Sequence, residues 1–309
     1  MAKDKNDRIA GMVYGSLIAD ALALGAHWIY DQDELEETFG VVKDFRKPLA
    51  DSYHPTKAAG EQTHYGDQAL VLLDSLSAKP EYDAEDFFKK WRKSWEGYGD
   101  YFDHATKETL ANLEKGAPSE SAGSDSEELG GAARIAPLLA ALNGQPTDDQ
   151  IKVTRTHTAL THGSVIAQDA AEYLTRLAIG VVNGQEVANA MRQATSEYYE
   201  VLPVRDILRK VAETRASETK AAAKELGLAC PTEQALPTVL SLLARYPDDL
   251  ETALIENVMA GGDSAARGLA LGMVLGAKAG QSEIPPRWIE ALKAKPLVDE
   301  FLSKLPQRA

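Results

Sequence analysis

The sequence predicts an all-α fold of a dozen or so helices forming one domain over residues 1–309. Three observations predict it. Apolar residues recur at helical spacing along most of the 309-residue chain. Val, Ile and Thr do not gather into alternating runs bounded by turn residues, the pattern that strands require. Two segments carry small residues at every fourth position: Gly268, Gly272, Gly276 and Gly280 late in the chain, and Gly11, Gly15, Ala19 and Ala23 early in it. Each glycine in a helix interior costs about 0.5 to 1 kcal/mol relative to alanine, so such a run needs an offsetting gain. Residues four apart share a helix face, and small residues there let two axes approach closely. The two segments are therefore expected to pack together and tie the first and last thirds of the chain into one core.

In chain order, periodicity places helices at 7–27, 67–76, 84–98, 106–113, 132–141 and 148–158, then at 164–182, 185–201, 204–223, 232–244, 250–258, 265–279 and 286–294. The first carries the early small-residue face. Asp67 opens the second and Asp148 precedes the sixth, each as a candidate cap. Trp91 and Trp95 recur at helical spacing in the third and read as core packing. The helix at 265–279 follows Gly261-Gly262-Asp263, with Asp263 set to cap it. Loops at 47–66 and 116–131 exceed usual connection lengths, as lids, binding segments or disordered insertions do.

The balance of 33 basic against 47 acidic residues, a formal charge of -14, disfavours nucleic acid and anionic membrane as partners. Cys230 is the one cysteine, which excludes an internal disulfide and a cysteine metal cluster and fits a cytoplasmic protein. The apolar run 9–30 has Asp20 near its middle, a costly residue in hydrocarbon, and reads as a buried helix rather than a membrane span. Oligomeric state is left open.

Polar groups meet glycine-rich helix starts at 20–27, 63–68, 130–134 and 261–267, where unpaired N–H groups and the helix dipole attract anions. Taken singly these signals are modest. Asp263 also reads as a plain cap, Arg267 four residues on as its ion-pair partner, and Thr63, His64, Tyr65 and Asp67 as a capping turn. His157 and His162 lie five apart, which does not fit the four-residue spacing of two imidazoles on one metal. His54 and His104 have no singling context. The chain has no Gly-x-Ser-x-Gly elbow, phosphate loop or His-Glu-x-x-His.

Together the pieces resemble the ADP-ribosylglycohydrolase family over nearly the whole chain. The matching segments are Ala19-Asp20-Ala21-Leu22-Ala23, the stretch G-G-A-A-R-I-A-P-L with Gly131 and Arg134, Leu160-Thr161-His162, C-P-T-E-Q-A-L-P, and Asn257 with Gly261, Gly262 and Asp263. The resemblance implies an all-α fold whose cleft holds two magnesium ions, binds ADP-ribose and cleaves the bond from its ribose. The sequence departs where that chemistry sits. Thr-Asp-Asp-Thr becomes Thr63-His64-Tyr65-Gly66, Asp-x-Asp-Thr becomes Asp263-Ser264-Ala265-Ala266, and a common glutamate becomes His27. Only Thr63 and Asp263, with Asp67 as a third, remain as oxygen ligands, so no cofactor is expected and the magnesium pair is expected to be lost. His-Trp-Ile-Tyr-Asp and Gly-Gly-Asp-Ser-Ala-Ala-Arg are similar to the divergent branch that includes the J-class lens crystallins.

The expected function is hydrolysis of a glycosidic bond in an ADP-ribosyl or nucleoside-like small molecule. Asp67 or Asp263 would position water, His64 or His27 would move protons, and Arg267 would replace a metal as anion partner. Tyr65, Gly131, Arg134, His162, Gly261 and Gly262 would line the ligand site. The alternative is an inactive nucleotide- or sugar-phosphate-binding or structural protein. A further variant keeps one magnesium ion on Thr63, Asp67 and Asp263.

Overall fold

The computed structural model describes residues 3–79 and 81–306. Its first half contains α1 (Lys5–Ala23), α2 (Gln32–Phe39), α3 (His64–Ala78), α4 (Ala84–Ser94), α5 (His104–Glu114), α6 (Gly130–Ala133), α7 (Ala136–Leu142) and α8 (Thr147–Ala159). Its second half contains α9 (Val165–Val182), α10 (Val187–Ser196), α11 (Val204–Glu213), α12 (Thr219–Leu226), α13 (Thr232–Arg245), α14 (Leu250–Met259), α15 (Ser264–Ala279), α16 (Pro286–Ala291) and α17 (Lys295–Lys304). Among the described residues there is no strand, and the all-α expectation holds.

The small-residue helices form the centre. α1 and α15 run antiparallel, with Gly11 against Gly276, Gly15 against Gly272 and Ala19 against Gly268. Backbone meets backbone here, so no side chain separates the axes. The Ser16 hydroxyl donates to the Leu269 carbonyl across the seam at 3.0 Å. The segment Lys5–Ala26 is long and apolar enough to cross a membrane, with a mean hydropathy of 1.6, yet from Ile9 to Ala26 it is buried inside the fold. α3, α7, α9, α13 and α14 pack around this pair.

Several expected helices are divided or shortened. The stretch 132–141 breaks at Arg134, whose side chain turns into the core, and Pro137 starts α7 afresh in its first turn. The stretch 204–223 divides between α11 and α12, where Arg245 donates to the carbonyls of Thr214 and Ser217 at 2.6 and 2.9 Å. α10 stops at Ser196, and the following chain is held by Asp169, which accepts from the N–H groups of Val201 and Leu202. α4 ends three residues before Gly97, whose φ of 73° suits glycine.

α2 and α17 were not expected. α2 buries only Leu35 and so carries no apolar stripe, but Asp31 caps it by accepting from Asp33 and Glu34. Asp263 caps α15 as expected, accepting from the Ala266 N–H at 3.3 Å. Asp67 and Asp148 do not act as caps: Thr63 caps α3, and Asp148 lies in the first turn of a helix that starts at Thr147.

Candidate functional site

The starts of α3, α5 and α15 meet beside the turn that leaves α1. Thr63 begins α3, so His64 and Tyr65 project from its first turn. Asp103 caps α5 and Asp263 caps α15. His27 and Trp28 follow the short 3-10 turn Leu24–Ala26.

Trp28 is the one non-glycine residue among those described with a left-handed backbone, at a φ of 66°. That conformation costs on the order of 1 to 3 kcal/mol and needs outside support. The support is reciprocal: the Trp28 N–H donates to the Gly262 carbonyl at 3.0 Å, and the Gly262 N–H donates to the Ile29 carbonyl at 2.7 Å. Gly261 and Gly262, at φ 80° and 67°, are required by the same turn, because a Cβ on Gly261 would reach the Ile29 carbonyl oxygen.

These elements bring His27, His64, Tyr65 and Asp263 together, all of them buried. The Tyr65 hydroxyl donates to Asp263 Oδ2 at 3.1 Å, and His27 Nδ1 lies 3.8 Å from Asp263 Oδ1. His64 Nε2 lies 3.7 Å from Asp103 Oδ2, and His64 Nδ1 is 3.1 Å from Nε2 of His54. His54, unremarkable in the sequence, is thus part of the cluster. His104 lies apart, exposed beside Glu108. Both ring nitrogens of His27, Nε2 of His64 and Nε1 of Trp28 are buried without a hydrogen-bond partner. Unpaired buried donors and acceptors are costly, and four of them fall on this one cluster.

The cluster is roofed by Trp28, Tyr53 and Tyr101, whose ring centroids lie 4.7 to 5.3 Å apart. The Tyr101 N–H donates to the Tyr53 carbonyl at 3.1 Å, and the Thr56 N–H and hydroxyl both donate to Asp100. The 47–66 loop is therefore an ordered cover strapped to the segment before α5. The 116–131 loop is also ordered, with the Leu129 N–H donating to Cys230 and the Thr232 N–H to Glu127.

Several expected site residues point elsewhere. Asp67 accepts from Lys57 Nζ at 2.5 Å and from the Tyr98 hydroxyl at 2.6 Å rather than from a histidine. Arg267 forms no ion pair with Asp263: it donates to Asn257 Oδ1 and to the carbonyls of Leu228 and Gly261, which makes it a brace for the Gly-Gly-Asp turn rather than an anion partner. Arg134 donates to Gln68 and Thr161, and Thr161 bonds His162. Gly131 packs its backbone against the His162 ring. These three residues form a core network below the site, linked to it through Gln68, which also donates to Asp103. His157 bonds Tyr82 instead.

The oxygen donors also fail a test for magnesium. The Thr63 hydroxyl donates to Asp20, Lys57 sits on Asp67, and Tyr65 holds Asp263, so the three have separate partners. Among the described residues no three His, Cys, Asp or Glu side chains form a metal-holding group. Magnesium demands near-octahedral oxygen ligands, and this arrangement does not fit it.

Burial sets the charge states. It holds His27 well below the usual imidazole range and lowers His54 and His64 to about 3, so these imidazoles stay neutral. The expected role of His64 or His27 as a proton carrier near neutral pH does not suit that. Burial raises Asp263, and burial with repulsion from Asp103 and Asp263 raises Glu128 to about 8.

Asp20 accepts from the Thr63 N–H and hydroxyl at 2.8 and 2.6 Å, and burial still raises it to about 7. Between the unfolded value near 4 and this folded value, the folded state keeps a proton that the unfolded state has released. Stability from this residue is full below pH 4 and falls by roughly 4 kcal/mol as pH rises to 7. Asp20→Asn cannot ionise, so the urea-measured advantage of the wild type over it should shrink across that range. Parallel pH profiles for the two proteins would exclude this.

The described residues form an all-helical fold with a roofed polar cluster where three helix starts converge. The chain belongs to the ADP-ribosylglycohydrolase family, whose profile, described as ADP-ribosylglycohydrolase, matches residues 1–309. It is 25% identical to an uncharacterized protein of Archaeoglobus fulgidus over 309 residues, covering 97% of this chain and 96% of the relative. The fold matches a solved "ADP-ribosylglycohydrolase-related protein complex" with a TM-score of 0.75, 24% identity and 97% coverage of each chain. Family membership supports a hydrolase-like function.

Sequence reasoning missed Trp28, Tyr53, His54, Tyr101, Asp103 and Glu128. The aromatic content of His-Trp-Ile-Tyr and Tyr53-His54 was the available signal; nothing local marked Asp103 or Glu128.

Proposed function

We propose that this protein hydrolyses a glycosidic bond of an ADP-ribosyl or related nucleoside-like substrate with its own side chains, without the family's magnesium pair. The observation that carries this is buried Asp263, held by Tyr65 and facing a His27 whose two ring nitrogens have no partner. In the reaction the water oxygen bonds to the anomeric carbon while the bond to the aglycone breaks. The water proton passes to Asp263, and the departing group keeps the bonding electron pair. Burial raises the Asp263 carboxyl above its ordinary value, which makes the ionised carboxylate a stronger base. His27, as neutral imidazole, is suited to orienting a ribose hydroxyl or the water.

Asp263→Asn keeps a residue able to cap α15 and removes the base. Metal-stripped protein should release ribose or ADP-ribose from a panel of ribosides, and the variant should do so roughly 100-fold more slowly or worse with little change in melting. Equal rates would exclude Asp263 as base. No release by the wild type would exclude hydrolysis.

A second reading is favoured by the roof over the cluster: the cleft holds its ligand without turnover, as a binding or crystallin-like structural protein would. Saturable binding of a riboside with no product supports that reading.

A further inference from the structure

We infer that the protein binds a single-chain amphiphilic anion, an alkyl chain ending in a carboxylate, in a groove formed by α10, α11 and α13. No residue of the cluster around His27 and Asp263 lines this groove, so the inference is independent of the glycosidic reading. Shape, charge and extent lead to it.

α10 and α11 both pack on α13, and the space between them stays open. Their apolar faces turn inward, with Met191 of α10 and Val211 of α11 buried. The positions that would close the space above are alanines: Ala188, Ala212 and Ala244 are exposed and too short to meet across it. A cavity of about 860 Å³ remains, with Met191, Leu208 and Val211 in its lining. Small-molecule sites span roughly 300 to 1,000 Å³ and are mostly apolar, with a few convergent polar groups. The apolar lining is aliphatic apart from Tyr246, whose hydroxyl bonds that of Thr219 at 2.7 Å. A flexible alkyl chain suits such walls.

Every charged residue lining the groove is an arginine: Arg192 of α10, Arg215 just after α11, and Arg245 of α13. The chain as a whole has a formal charge of -14, so three guanidinium groups with no carboxylate among them make a local field of the opposite sign. Arg245 is fixed in place, donating to the Ser241 hydroxyl at 3.2 Å and to the carbonyls of Ser217 and Thr214 at 2.9 and 2.6 Å. Arg192 donates to Asn189 on its own helix. Arg192 and Arg215 are exposed, and neither forms an ion pair within 4 Å among the described residues. A guanidinium fork matches a carboxylate with two parallel hydrogen bonds. The ligand that satisfies both lining types has an apolar body and an anionic end.

Extent favours a small ligand over a protein. Eleven residues line the groove, whereas a stable protein interface takes roughly 20 to 30 a side. The connection from α10 to α11 carries Glu197 and Glu200, which would repel an acidic partner large enough to reach it.

The test is calorimetric titration of the full chain with decanoate, decanol, decyltrimethylammonium and acetate, each below its micellar concentration. Decanoate should bind once per chain and roughly tenfold more tightly than decanol, the worth of one charge-assisted pairing. Acetate lacks the chain and the ammonium has the wrong charge, so neither should bind measurably. Arg215→Gln should weaken decanoate severalfold and leave decanol unchanged. Ala244→Trp or Ala212→Trp, each at an exposed position where an indole would fill the groove, should abolish binding of both while helical circular dichroism stays at the wild-type level. Equal binding of decanoate and decanol, uptake at several sites, or binding of the ammonium overturns the inference. So does full decanoate binding by Arg215→Gln or by both folded tryptophan variants, or no binding of decanoate at all.

Discussion

Gly272→Ala is expected to destabilise the protein by about 3 kcal/mol or more, although alanine is the better helix former. A methyl group at this position would overlap the Gly15 carbonyl and come within 2.8 Å of the Ala19 Cβ. The Gly15 carbonyl belongs to α1 backbone and cannot swing aside as a side chain would. Relief requires moving α1 relative to α15, and every other contact along the seam moves with it. The same geometry recurs at Gly276 against Gly11, so the two glycines cannot compensate for each other. On propensity alone the substitution would gain up to about 1 kcal/mol, so the two accounts differ in sign. Urea unfolding decides between them: a midpoint at or above that of the wild type would mean that the seam is not packed as described.

The second large effect is expected at Arg267. Replacing it with methionine keeps much of the volume but removes donors to Leu228, Gly261 and Asn257, the last two buried and the first partly so. Each buried acceptor left unpaired costs about 1 to 3 kcal/mol, and removal of a buried charge from its partners costs on the order of 3 to 5 kcal/mol in all. The Gly261 carbonyl sits in the turn that aims Asp263 and clips Trp28, so site geometry should be lost along with stability. A residue acting only as an anion partner would behave differently. Its loss would spare the melting temperature and abolish ligand binding, and that outcome would restore the role the sequence suggested for Arg267.

The helices were legible because their signal is local. The spacing of Gly11, Gly15, Gly268, Gly272 and Gly276 predicted the central pair, and Gly261-Gly262-Asp263 predicted a turn and a cap that the structure contains. Local signals failed where a distant group intervenes. The break between α11 and α12 depends on Arg245, and the end of α10 on Asp169. α2 was invisible because Asp31 and one buried leucine define it.

The candidate site was legible in part for the same reason. His27, His64, Tyr65 and Asp263 were singled out by their motifs, and the structure brings these four together. Asp67 and Arg267 carried equally good motifs and face other partners. His54 carried none, yet bonds His64.

By itself, the sequence determined that the chain is helical and that its two small-faced helices meet. Only the tertiary structure decided which polar groups face each other and which of them are neutral. The physical reason is range. Periodicity and capping act within a few residues, whereas the partner of Tyr65 lies 198 positions away and the charge of His27 is set by burial that many helices create together.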